Sequence, residues 1–172
     1  LEKEGHGVTI LDLVPPPPGL PDHKFVRGDI RNPEAVREAL TGCSAMCNLA
    51  AAHHDFGISD RTYRDVNAGG SRVLCDVMDE LGIRHACFYS TVAVYGGAEP
   101  PLTEGTEPEP RSPYGASKLA GEETFRRWTE KGDGRRCLVI RPTVTFGPRN
   151  FANMYSLIKQ IESGRFVFVG RA

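Results

Sequence analysis

The sequence predicts an α/β fold built on a doubly wound parallel sheet. Short β-branched, apolar runs alternate along the chain with stretches of helical apolar spacing, the pattern of a parallel sheet with helices on both faces. The first run, Val8-Thr-Ile-Leu-Asp-Leu13, is continuous rather than alternating, as a strand covered on both faces is. Right-handed crossovers between such strands wind the sheet in both directions, and ligands then sit at the strands' C-terminal ends.

After the first strand, Pro15–Pro18 and Gly19 predict a stiff extended loop, and Lys24–Arg27 a brief second strand. Asn32-Pro33 reads as a helix start, Asn as cap and Pro in the first turn, with helix through Leu40 and a stop near Gly42. A third strand covers Ala45–Ala51. Apolar spacing from Ser59 to Leu81 (Tyr63, Val66, Val73, Leu74, Val77, Met78) predicts a helix that Gly82 ends. A fourth strand runs His85–Ser90, and residues 96–112, rich in Pro, Gly and Glu, form a loop. Helix over Pro113–Glu130, a fifth strand at Arg136–Arg141 and a helix at about Asn153–Glu162 complete the order.

The 172 residues suffice for one domain, expected over residues 1–172. A net charge of −1 gives no basic surface for nucleic acid or anionic membrane, and no apolar run approaches the roughly 20 residues of a membrane span. The polar opening Leu1–Gly5 is no signal peptide, so a cytoplasmic location is expected. Five cysteines without a CxxC pair predict small buried hydrophobes in a reducing compartment, and no metal site. The chain opens without Met on what reads as the last turn of a helix, and stops after the strand-like Phe166-Val-Phe-Val169. Truncation at both ends is expected.

Chemistry enters with Tyr114-Gly-Ala-Ser-Lys118 at a helix start. Spacing i, i+4 puts both side chains on one helix face. A phenol with its ordinary pKa near 10 is a poor base, and a neighbouring ammonium stabilises the phenolate. Tyr114 could then exchange a proton with a substrate hydroxyl. Alone, the pair could be an ordinary exposed helix pair. Upstream, Ser90-Thr91-Val-Ala-Val94-Tyr95-Gly96 ends the fourth strand and offers the Thr91 hydroxyl as a second hydrogen-bonding group. His53 and His54 read as a solvated loop pair.

Taken together, these segments resemble the extended short-chain dehydrogenase/reductases, the superfamily of the nucleotide-sugar epimerases. The family pattern is S-S/T-x-x-V-Y-G followed by S-P-Y-x-x-S-K, here Ser90–Gly96 and Ser112–Lys118. Gly28-Asp29-Ile30 is similar to the family's G-D-I/V/L at the adenine ring, and Asn48-Leu49-Ala50-Ala51 to its H-L-A-A strand end beside the cofactor. Val66-Asn67 with Gly69–Ser71 is similar to N-V-x-G-T. Arg141-Pro142 with Phe146–Arg149 is similar to R-P-x-x-x-Y/F-G-P-R near the nicotinamide.

The resemblance implies a Rossmann-like domain that binds NAD. Its glycine-rich G-x-x-G-x-x-G turn, first strand and most of the C-terminal substrate region are not found in this sequence. It implies Tyr114, Lys118 and Thr91 as the catalytic set. It implies Asp12, Asp29, Ile30, Leu49, Ala50, Ala51, Asn67, Tyr114, Lys118 and Pro142 as cofactor contacts. Asp12 would accept from the adenosine ribose and repel a 2′-phosphate, which favours NAD over NADP. The implied reaction is epimerisation of a nucleotide sugar by transient oxidation, in a homodimer paired through helices 59–81 and 113–130. Tyr63, Val66, Val73, Leu119 and Phe125 are candidates for that interface or for the core. Two departures matter. Val92 and Ala93 stand where the family's dehydratases carry an acid, which disfavours elimination. Val144 stands where many sugar-nucleotide enzymes place Asn, which keeps open a hydroxysteroid- or dihydroflavonol-type dehydrogenase/reductase. A non-catalytic NAD-binding protein is the third reading, opposed by the intact Tyr, Lys and Thr.

Overall fold

The structure, a computed structural model, describes residues 1–18, 23–53, 57–147, 150 and 153–167. Its elements are β1 (Thr9–Asp12), β2 (Lys24–Arg27), α1 (Pro33–Leu40), β3 (Ala45–Asn48), α2 (Asp60–Tyr63), α3 (Gly70–Glu80), β4 (His85–Tyr89), α4 (Pro113–Glu130), β5 (Arg136–Ile140) and α5 (Asn153–Glu162). A π-helical segment, Arg64–Gly69, joins α2 to α3, and 3-10 turns lie at Glu2–Glu4 and Val92–Tyr95. The described residues form two compact units, 1–141 and 142–172. The second contains α5, whose bounds match the sequence expectation.

Within residues 1–141 all strand pairing is parallel. β1 pairs with β2, and β3-β4-β5 form a second sheet in that order, with Asn48 level with Phe88 and Phe88 with Val139. Between β1 and β3 lies a cleft of about 880 Å³ lined by Val8–Asp12 and Ser44–Ala50. Met46, Ala86 and Phe88 point into a core with Val36 and Leu40 of α1, Leu74, Val77 and Met78 of α3, and Phe125 and Trp128 of α4. Described helices of this unit cover that face, while Ala45, Cys47, His85 and Tyr89, at alternate positions, are exposed.

Local rules explain the helix starts. The Asn32 side chain accepts from the amides of Glu34 and Ala35 at α1, and Ser112 accepts from Gly115 at α4, each just before a proline in the first turn. Ser59 accepts from Thr62 at α2.

Two expectations are corrected. β1 is not buried on both faces: Thr9, Ile10 and Leu11 are half-buried and Asp12 is exposed, because β3 does not pair with it. The strand cysteines are not uniformly buried either. Cys47 is exposed and Cys87 and Cys137 are half-buried, since Cys47 and Cys87 share the face that the helices leave open. All five cysteines are free thiols.

Candidate active site

The site forms where β4 ends and α4 begins. Thr91 follows β4 and caps the 3-10 turn Val92–Tyr95, its Oγ1 accepting from the Ala93 amide at 3.1 Å. That bond uses an acceptor lone pair and leaves the hydroxyl proton to donate. α4 lies directly against this turn. A Cβ built on Gly115 would stand 2.5 Å from the Ala93 carbonyl oxygen, so glycine beside Tyr114 is what lets the helix approach so closely. Tyr114 is half-buried, and its ring stacks at a tilt on Tyr63, 6.1 Å between centroids.

One turn along, Lys118 is only 2 % exposed. Its Nζ sits 4.4 Å from the centroid of the Phe88 ring, where the aromatic face partly compensates lost hydration. Burial pushes the ammonium down to about 8, while the Glu122 carboxylate one turn further pulls it up. Lys118 and Tyr114 are four residues apart on α4, so they share one face of that helix.

Asn67 is placed by the π-helical segment. Its side chain is 1 % exposed and donates to Ser117 Oγ at 2.8 Å and to the Ala52 carbonyl at 3.1 Å, and accepts from the Ala52 amide at 2.8 Å. Ser117 in turn donates to the Tyr114 carbonyl at 2.7 Å. Asn67 therefore ties the segment after β3 to the helix that carries Tyr114 and Lys118. Such π segments recur at functional sites. Ser117 lies inside the Y-x-x-x-K spacing and is missed by reading its ends alone.

The expected cofactor contacts sort into groups. Asp12, Ile30, Leu49 and Ala50 line the cleft between β1 and β3, together with Asn48; Thr91, Tyr114 and Lys118 do not line it. Asp12 is exposed at the end of β1 and accepts from the Val14 amide at 3.0 Å. Asp29 is held by its own neighbour: Arg31 donates from Nη2 at 2.6 Å and from its amide at 2.8 Å, and the Arg31 hydrogen bond holds the carboxyl below its ordinary range. Ile30 is buried beneath Gly70, where a Cβ would collide with it. Leu49 is exposed, and Ala50 and Ala51 are half-buried. Pro142 is the first residue of the second unit and half-buried. His53 Nδ1 lies 3.1 Å from the Ala51 carbonyl, and His54 falls outside the described residues.

Two buried polar atoms at the C-terminal ends of adjacent strands, Asn48 Nδ2 and Ser90 Oγ, have no hydrogen-bond partner among the described residues. Among those residues no cluster of three or more His, Cys, Asp or Glu could hold a metal, and no helix is long and apolar enough to cross a membrane.

Parallel strands, a buried lysine four residues after a tyrosine and a capped Thr turn beside them come together in this unit. The chain belongs to the NAD dependent epimerase/dehydratase family, whose model matches residues 1–170. It is 41% identical over 144 residues to N-acetyl-alpha-D-glucosaminyl-diphospho-ditrans,octacis-undecaprenol 4-epimerase of Escherichia coli O157:H7, covering 83% of this chain and 44% of that protein. It is 38% identical over 154 residues to D-erythronate dehydrogenase of Cupriavidus necator, covering 82% and 45%. Among solved structures it superposes on MoeE5 in complex with UDP-glucuronic acid and NAD at a TM-score of 0.81, with 25% identity, covering 92% of this chain and 54% of that one. The chain thus spans about half the length of these relatives.

Proposed function

We propose that residues 1–172 are an NAD-binding domain of an enzyme that epimerises a nucleotide sugar, or a sugar carried on a similar diphosphate, by transient oxidation of a ring hydroxyl. The observation that carries this reading is the buried Lys118 on one helix face with Tyr114, packed against the turn that Thr91 caps. Relatives named as sugar 4-epimerases and a structural neighbour holding NAD with a sugar nucleotide support it.

The chain's residues fit a dinucleotide. Asn48 Nδ2 and Ser90 Oγ offer polar atoms at the strand ends that are unpaired among the described residues, and the exposed Asp12 carboxylate stands at the end of β1, suited to ribose hydroxyls and opposed to a 2′-phosphate. When bound, NAD supplies reversible hydride acceptance at the sugar carbon. Tyr114 takes the hydroxyl proton onto its phenolate oxygen and returns it after the sugar turns over. Lys118 keeps that phenolate accessible near neutral pH, and Thr91 donates to the reacting oxygen. Val92 and Ala93 carry no acid, which agrees with epimerisation rather than elimination.

In full-length protein, Tyr114→Phe should abolish turnover, by about 10² to 10⁴-fold, with NAD affinity nearly unchanged, since only the proton-transfer group is lost. Calorimetric titration should show tighter binding of NAD than of NADP. Retained turnover in Tyr114→Phe, or tighter NADP binding, overturns the assignment. UDP-linked and polyprenyl-diphosphate-linked sugars tested side by side identify the carrier.

We propose further that the full-length protein pairs as a homodimer through the helices at 59–81 and 113–130. Ala116 and Ala120 are exposed on α4, small side chains that permit close helix approach, Leu119 between them is half-buried, and C2 pairing is the commonest assembly. Tyr63 and Phe125, at 6% and 0% exposed, belong instead to the core of this chain. Light scattering at micromolar concentration checks the pairing, and a monomer would count against it.

A further inference from the structure

We propose that Glu122, Arg141 and Tyr95 form a positioning brace that fixes the Thr91 turn against the helix bearing Tyr114 and Lys118. This rests on the catalytic reading above and goes beyond it, because it concerns how the Thr91 turn is held rather than the proton transfer itself.

Arg141, just past β5, grips Glu122 of α4 with both arms of its guanidinium, Nε to Oε1 at 2.9 Å and Nη2 to Oε2 at 2.6 Å. Its remaining nitrogen, Nη1, donates to the Tyr95 hydroxyl at 2.6 Å, and that hydroxyl donates to the Thr103 carbonyl at 2.9 Å. Every member is sheltered. Tyr95 is 5% and Glu122 7% exposed, and the Arg141 side chain 21%. The Glu122 hydrogen bond holds the Arg141 guanidinium well above even its ordinary range.

Geometry gives the brace its meaning. Tyr95 is the last residue of the turn that Thr91 opens, and that turn is closed by the Thr91 Oγ1 bond and by a bond from the Val94 amide to the Thr91 carbonyl at 3.3 Å. Moving Tyr95 therefore moves Thr91. Glu122 lies one helical turn beyond Lys118 and two beyond Tyr114. One guanidinium thus links the catalytic helix, the end of β5, the Thr91 turn and, through Thr103, the loop between the two motifs. A planar fork suits this task where a point-charge ammonium would not. A simple stabilising ion pair would need no third bond to a tyrosine on the turn.

The test is a double-mutant cycle in full-length enzyme. Tyr95→Phe keeps the ring and fold and removes the shared hydroxyl; it should lower kcat about tenfold, the scale of one lost hydrogen bond, with little change in NAD affinity. Thr91→Val should then cost far less in the Tyr95→Phe background than in wild type, because Thr91 is already displaced. Arg141→Lys, which keeps the charge and loses the fork, should reproduce this. Where Thr91→Val lowers wild-type turnover, an equal cost in the Tyr95→Phe background overturns the brace. Hydrogen exchange supplies a readout independent of turnover: Tyr95→Phe should speed exchange of amides 93–98 and leave α4 protected. Unchanged exchange there also overturns the proposal. If exchange responds while Thr91→Val and Tyr114→Phe leave wild-type turnover intact, the brace stands and the catalytic reading falls.

Discussion

Lys118 is the residue at which burial and chemistry pull in opposite directions. The group is protonated below about 8 in the fold and would titrate near its ordinary 10.5 when the chain unfolds. Between these values the unfolded state binds more protons, so stability should rise as pH climbs through that window. Phenolate stabilisation needs the charged form, so turnover should fall over the same range, with an alkaline limb near pH 8. Lys118→Met removes the desolvation cost and keeps contact with the Phe88 ring through a thioether. Urea unfolding at pH 7 should give that variant a midpoint equal to or above wild type, while turnover is lost. A clear fall in midpoint would show that the ammonium contributes more to the core than its burial costs.

At the scale of elements, Asp79 near the end of α3 joins three segments. It accepts from Trp128 Nε1 of α4 at 2.8 Å, from Lys131 at 3.0 Å and from Arg135, just before β5, at 2.9 Å. Burial alone would raise its carboxyl, but the bonds from Arg135, Lys131 and Trp128 outweigh that and hold it at about 2. The folded value is depressed, so its stabilisation is complete above the unfolded value near 4 and is lost as pH falls toward 2. Asp79→Ala should cost about 2 kcal/mol at pH 7 and much less near pH 2, read from denaturant midpoints; an equal cost at both would point to packing rather than charge. This hub has no sequence signature, because its four members are scattered between residues 79 and 135 and meet only once α3 and α4 pack. The same limit hid Glu122 and Arg141, 19 residues apart and charged like any surface pair. Helix ends were far more legible: the capping residues and Pro33 and Pro113 act within one turn, and α1 and α4 begin where those residues predict. Tyr114 and Lys118 were readable for that reason too, since four residues on a helix fix a shared face without tertiary information. The π segment was not readable, because one added residue in a continuous helix leaves the apolar pattern almost intact.

Across the whole of residues 1–141, the hydrophobic core is continuous but the hydrogen bonding of the strands is not. Helices α1, α3 and α4 share one cluster with Met46, Ala86 and Phe88, whereas β1 and β3 face each other across the 880 Å³ cleft with no ladder between them. Each of those edges leaves a row of backbone donors and acceptors to water, and a strand edge of this kind invites pairing with other chains. The opposite face adds to the cost, with Leu138 62% and Tyr89 37% exposed. The 172-residue chain, produced by itself, should therefore be marginally stable and prone to associate through β1 and β3. Scanning calorimetry of dilute protein should give a broad transition below the roughly 45–65 °C at which mesophilic domains melt. Hydrogen exchange should show β1 and β2 opening before β4, which is paired on both sides. Added short peptides of strand-forming sequence should raise the transition if the two edges cause the weakness, because ligands of the native state stabilise it by mass action. A sharp, cooperative and reversible melt near 60 °C, unchanged by peptide, would mean that the helical face alone holds the two sheets in register.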